Sequence, residues 1–189
     1  NSFIFNVIDT QTAAVSKFGN VSFKDIKTYE GVMLYKNFTV DNSDFNQKFV
    51  IENPKVDSTT IRVEVQEDPN EDVYYLYSAA DNLVSLTEES KVYWLEETND
   101  GYYQLVFGDG YFGKLLQDGA KIKVSYLITN AEVANGIQNV GNIVFVGGIY
   151  DSYGTRISDK VNVDKVEPSF GGSRIEDVSS IKFRAPKFY

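Results

Sequence analysis

The residues whose types and spacing come nearest to doing chemistry lie mid-chain, where Gly108, Gly110 and Gly113 surround Asp109 and run into Lys114. Glycine-rich loops cradle phosphate when their amides converge at the start of a helix. Here the spacing departs from those fingerprints: Gly113-Lys114 is followed by Leu115 where a phosphate loop carries Ser or Thr, and the sequence predicts no helix or βαβ surround after the glycines. Asp109 is the one carboxylate of the loop, whereas a calcium loop spaces several oxygen donors along its length. The adjacent acids Glu71-Asp72, Glu88-Glu89 and Glu96-Glu97 invite comparison with a glycosidase pair. Neighbours on a strand point to opposite faces, so these pairs read as solvated surface. The chain contains no His and no Cys, which removes the usual neutral-pH base, the Ser-His-Asp relay, thiol nucleophiles and thiolate metal sites. The expectation is a protein that is not an enzyme and needs no cofactor and no metal.

A second class of chemistry is ring stacking. Tyr74-Tyr75-Leu76-Tyr77, with Trp94, Tyr102 and Tyr103, offers aromatic faces on which sugars could stack. That is the basis of an alternative function, a carbohydrate-binding β-sandwich module of a tail fibre or adhesin. Strand packing and subunit interfaces account for the same rings, and the chain holds 13 Tyr and 13 Phe. A net charge of -9 repels phosphate backbones and anionic lipid, so nucleic acid is not expected as a partner. No apolar run approaches the roughly 20 residues that span a bilayer, and membrane insertion is not expected.

The elements that must position these residues read as strands. Thr60–Glu67 alternates Ile61, Val63 and Val65 with Arg62, Glu64 and Gln66, one face for a core and one for water. Phe3–Ile8, Val21–Tyr29, Val32–Val40, Phe49–Ile51 and Val73–Tyr77 are further strand candidates. Asn99-Asp100-Gly101 between Lys91–Glu97 and Tyr102–Phe107 marks a hairpin, because a primed turn needs positive φ. The Gly108–Gly119 connection then leads to Lys121–Ile128, which predicts a three-strand antiparallel meander. After Asn130 a polar, Gly-containing stretch precedes the apolar run Ile143–Ile149 and a last strand near Lys160–Val166. Ser173 and Glu176 form a capping box, and Ile175, Val178 and Ile181 predict a short amphipathic helix that Pro186 stops at about Ala185. The fold class expected is mainly β, a β-rich α+β arrangement of antiparallel sheets, sandwich-like with a meander, plus that short C-terminal helix. Two domains are expected: 1–130, carrying the meander, and 131–189, a smaller β segment ending in the helix. The start at Asn1 and the close on Phe188-Tyr189 read as an internal segment of a longer chain.

The run Tyr103-Gln104-Leu105-Val106-Phe107-Gly108-Asp109-Gly110-Tyr111-Phe112-Gly113-Lys114, followed by Asp118-Gly119 and Ile122–Tyr126, resembles the baseplate-J-like family. So does Gly171-Gly172-Ser173-Arg174-Ile175-Glu176-Asp177-Val178 through Arg184-Ala185-Pro186. Tyr29-Glu30-Gly31, Thr59-Thr60-Ile61-Arg62-Val63 and Asn135-Gly136-Ile137 make it similar to the baseplate wedge proteins of large contractile-tailed, T4-like phages. The resemblance implies a structural virion protein, assembled in the host cytoplasm and located in the tail baseplate. It would join wedges into a ring around the tail hub, with other copies of itself and other wedge proteins as partners. It carries over no catalytic residue. Phe107, Gly108, Asp109, Gly110 and Gly113 map onto a turn; Gly171, Gly172, Ser173, Glu176, Arg184, Ala185 and Pro186 map onto a helical segment leading toward a further C-terminal portion.

Overall fold

The computed structural model describes residues 2–80, 82, 85–138, 143–158, 161–164 and 166–173. The chain divides into two compact units, Asn1–Thr129 and Asn130–Tyr189. In the first, the short pair β1 (Phe5–Asn6) and β2 (Tyr29–Glu30) precedes seven strands: β3 (Val32–Thr39), β4 (Phe49–Ile51), β5 (Arg62–Gln66), β6 (Tyr75–Ala79), β7 (Val92–Glu97), β8 (Tyr103–Phe107) and β9 (Lys121–Ile128). The second holds the hairpin of β10 (Ile149–Tyr150) and β11 (Arg156–Ser158).

The two-period pattern of β5 and β9 sets the centre of the sheet. Val63 lies opposite Val124 and Val65 opposite Ile122, and all four are fully buried. β3 takes the other edge of β9, placing Phe38 opposite Ile122 and Leu34 opposite Tyr126. From β5 the sheet continues through β6, β7, β8 and β4, in the order β3-β9-β5-β6-β7-β8-β4. Its end strands meet: Phe38 of β3 and Phe49 of β4 sit edge to face with centroids 5.5 Å apart. Strand twist thus curls the sheet round its own core into an open barrel, with one continuous sheet where a sandwich has two. Ile51, Leu105 and Leu127 are the other large side chains fully buried among the described residues.

The hairpin forms with β7 and β8 in register from Tyr93 opposite Phe107 to Glu97 opposite Tyr103. Gly101 turns it at φ +77°, its amide donating to the Thr98 carbonyl at 2.9 Å. β9, however, is not the third strand of a meander. The far edge of β8 is occupied by β4, which buries Ile51, and β9 pairs with β3 and β5 instead. The connection from Gly108 to Ala120 is too long for a hairpin loop of about 2–5 residues. It crosses to β3 with Leu116 and Ala120 buried, and the amide of Val40 donates to Ala120.

Other differences have local causes. The Val21–Tyr29 strand is confined to Tyr29 onward, and Asp25 sits at φ +53°, which interrupts extended backbone. The strand expected from Thr60 begins at Arg62 because Ser58–Thr60 forms a 3-10 turn capped by Asp57. The Thr60 hydroxyl is used there to accept the Leu127 amide at 3.0 Å. Near Lys160–Val166 the described residues 161–164 and 166 are not in a strand, and the pairing falls earlier, in β10 and β11. The described residues include the 3-10 turns Ser58–Thr60 and Ala131–Ala134 but no α-helix. The expected helix lies outside the described residues.

Leu105→Ala should destabilise the protein by about 2–5 kcal/mol in urea unfolding, the cost of a cavity in a close-packed core. Phe45→Ala, at a side chain 97% exposed, should stay within about 0.5 kcal/mol.

Candidate functional site

The Gly108–Lys114 segment follows β8 as a tight, internally bonded turn. Asp109 Oδ1 accepts the amides of Tyr111 and Phe112, both at 2.9 Å, and these bonds hold its carboxyl below the usual carboxylate range. The Gly110 amide donates to the Gly113 carbonyl at 3.1 Å. Gly108 and Gly113 then approach so closely that a Cβ on Gly108 would lie 2.1 Å from the Gly113 carbonyl carbon. Gly113 itself sits at φ +90°, with Val92 Cγ2 only 2.8 Å from where its Cβ would be. The turn is fastened to its neighbours: Gly113 donates to Thr87 at 3.0 Å and Lys114 to Ser90 at 2.9 Å. What this rigid turn presents outward is apolar, with Tyr111 80% exposed and Phe112 and Leu115 also exposed.

Beneath it lies a cluster that no motif in the sequence announces. Glu67, just past β5, is mostly buried, and its Oε1 takes the Lys91 ammonium at 2.7 Å and the Tyr77 hydroxyl at 3.0 Å. Its Oε2 takes the Lys114 ammonium at 2.9 Å. Burial alone would raise the Glu67 pKa, but the bonds from Lys91, Lys114 and Tyr77 outweigh it and hold the carboxyl below its ordinary value. Lys114 moves upward, chiefly through its bond to Glu67. Burial first, and the Glu67 charge second, push the Tyr77 hydroxyl well above its ordinary value. Lys91 also lies over the Tyr75 ring, 3.1 Å from its centroid. With these donors engaged, Glu67 is a clamp between β5, β6 and the turn; it is not placed as a free base. The four residues come from separate elements with no shared spacing, so only the fold reveals them.

The aromatic residues considered for sugar stacking are divided. Strand parity puts Trp94 on one face of the β7-β8 hairpin and Tyr93 and Tyr103 on the other. Tyr77 and Tyr93 are buried, and the Tyr75 ring faces Lys91. Among the described residues no group of three or more acidic side chains is arranged to hold a metal ion, and no helix is long and apolar enough to cross a membrane.

In the second unit, two of the segments quoted for the family resemblance meet. Asn135 Nδ2 donates to the Gly172 carbonyl at 2.8 Å, and Gly172 returns its amide to Asn135 Oδ1 at 3.0 Å. A Cβ on Gly172 would lie 2.2 Å from the Ala131 carbonyl oxygen, so this contact too requires glycine. Gly171 and Ser173 flank it, whereas Glu176, Arg184, Ala185 and Pro186 lie outside the described residues.

Compared with protein families, residues 34–158, more than half of the chain, match the family described as bacteriophage baseplate wedge protein gp6, third domain. Comparison with curated proteins gave no match.

Two outcomes follow from the geometry of the turn and its clamp. Gly108→Ala forces backbone against backbone and should cost more than about 3 kcal/mol in urea unfolding. Gly101→Ala, with open space around it, should cost only the left-handed backbone penalty of about 1–2 kcal/mol. For Glu67, a carboxyl whose pKa is depressed by folding stabilises the native state above its ordinary value of 4.5 and loses that contribution as pH falls through the folded value. Wild type should therefore exceed Glu67→Gln by about 1–3 kcal/mol near neutral pH. That difference should shrink as unfolding is repeated at successively lower pH below 4.5.

Proposed function

This chain belongs to the family of bacteriophage baseplate wedge protein gp6, third domain, and we propose that it acts there mechanically, linking wedges into the ring around the tail hub and re-seating its contacts when the sheath contracts. The family match over residues 34–158 is the observation that carries this reading, and it makes the chain a structural part of a phage tail baseplate. A rigid turn that displays Tyr111 and Phe112 above a clamped ion cluster supports it, because aromatic side chains on a fixed backbone are effective interface anchors. The role proposed is non-catalytic and needs no cofactor. The partners proposed are other copies of the protein and other wedge proteins, with neither nucleic acid nor membrane insertion involved, in line with a net charge of -9.

Finer assignments belong to the same proposal. Residues 1–130 would form the β-rich body and 131–189 a smaller segment. Phe107, Gly108, Asp109, Gly110 and Gly113 would act as a turn that shapes a contact surface, and the segment from Gly171 to Pro186 would lead toward neighbouring subunits. Kinship with the wider baseplate-J-like proteins, and assembly in the host cytoplasm before incorporation into the virion, complete the reading.

The test is assembly. Protein mixed with a lysate of wedge components should sediment in a wedge-sized particle, and Tyr111→Ala with Phe112→Ala should lower its incorporation by about tenfold or more, the effect of losing both aromatic anchors. A chain that stays monomeric and enters no particle overturns the proposal.

A further inference from the structure

Between the loop joining β3 to β4 and the start of the connection after β8 runs a shallow groove of about 320 Å³. Its floor is the apolar core edge at Phe49, Leu105 and Phe107, and its walls are Phe45 and Leu115. Phe45 is 97% exposed and Leu115 60%. Phe45 does not hang on a loose loop. Gln47 Nε2 donates to the Thr39 carbonyl at 2.8 Å, and Gln47 Oε1 accepts the Asp41 amide at 2.9 Å, closing the base of the loop around it. Holding a large apolar side chain in water on a fixed backbone leaves little ordering to be done on association.

The charged residues that line this groove are of one sign. Neither Lys nor Arg lines it, while Asp41 and Asp44 do. Asp118 joins the same rim, its Oδ1 accepting the Asn42 amide at 2.9 Å. We propose that the groove is a docking site for a segment of another protein that carries a large apolar side chain next to Lys or Arg. The apolar floor takes the side chain, and the rim carboxylates take the cation. A second copy docking through this same rim is disfavoured as occupant, since Asp41 and Asp44 of one copy would meet Asp41 and Asp44 of the other, while other surfaces stay open to the self-association proposed above. The proposal rests on the assembly role above for its biological setting. Peptide binding can fail while incorporation into the wedge particle succeeds, which would remove the groove and leave the role.

The experiment titrates the whole chain with short fluorescein-labelled peptides, read by anisotropy. In one, Lys alternates with Leu; in a second, Lys alternates with Gly; in a third, Glu alternates with Leu. The Lys/Leu peptide should bind saturably and about tenfold or more tighter than either of the others. Phe45→Ser should weaken it by a similar factor, as should Asp41→Asn with Asp44→Asn, which keep the side-chain acceptor of each Asp. Glu96→Gln with Glu97→Gln, the same change of charge made at the hairpin end of β7, should leave binding unaltered. Equal binding of the Lys/Gly peptide, an unaffected Phe45→Ser variant, or equal loss on changing Glu96 and Glu97 would each reduce the effect to bulk charge and overturn the proposal. A dimer in sedimentation that Phe45→Ser abolishes would overturn it too, by assigning the groove to a second copy.

Discussion

The contact on which this architecture depends is the edge-to-face meeting of Phe38 and Phe49. These rings stand on the two end strands of the sheet, so their contact brings the ends of a long twisted ribbon together around Val63, Val65, Ile122 and Val124. The chain of rings continues inward. Phe49 meets Phe107 at 5.6 Å and Phe107 meets Tyr77 at 5.9 Å, both edge to face. Each such pair adds about 0.5–1.5 kcal/mol beyond the area it buries. The larger effect is geometric, because the seam fixes how far the sheet can open.

From Tyr77 the same chain of contacts reaches the surface. Its hydroxyl is bonded to Glu67, Glu67 to Lys114, and Lys114 follows directly on the Gly108–Gly113 turn. The ring contact between the end strands and the turn that displays Tyr111 and Phe112 are thereby joined by one continuous path of side-chain contacts. The lysines at one end of the path are partly exposed, so solvent and salt reach the ion cluster.

How much of this the sequence reveals depends on the range of the interaction. Alternation over Arg62–Gln66 and Lys121–Ile128 and the turn residues at Asn99-Asp100-Gly101 are local, and they specify β5, β9 and the β7-β8 hairpin directly. The partners of β9 are a choice among distant edges. The short Phe49–Ile51 strand wins the edge of β8 because it buries Ile51 there, a competition that no window of neighbouring residues records. The Glu67 cluster is hidden for the same reason, its members being brought together from four places in the chain. The Gly108 region is intermediate. Its turn is readable from glycine and Asp109, but the 2.1 Å approach that demands glycine at 108 involves Gly113 folded back onto it.

The ring contact between the end strands also bears on how such a domain can meet a partner. An open sheet offers the backbone of its end strands, and association by strand addition follows easily from that. Here β3 and β4 face each other across rings, and the Lys36 ammonium lies 3.8 Å from the Glu52 carboxylate beside them. Bulky and charged side chains thus stand over the edge that would accept a further strand. With strand addition disfavoured, side chains carried on loops are the better-placed contacts, and among the described residues of the first unit the most exposed apolar ones, Phe45, Tyr111 and Phe18, are loop residues. Contacts of that kind can be broken and remade without unzipping a ladder of backbone hydrogen bonds.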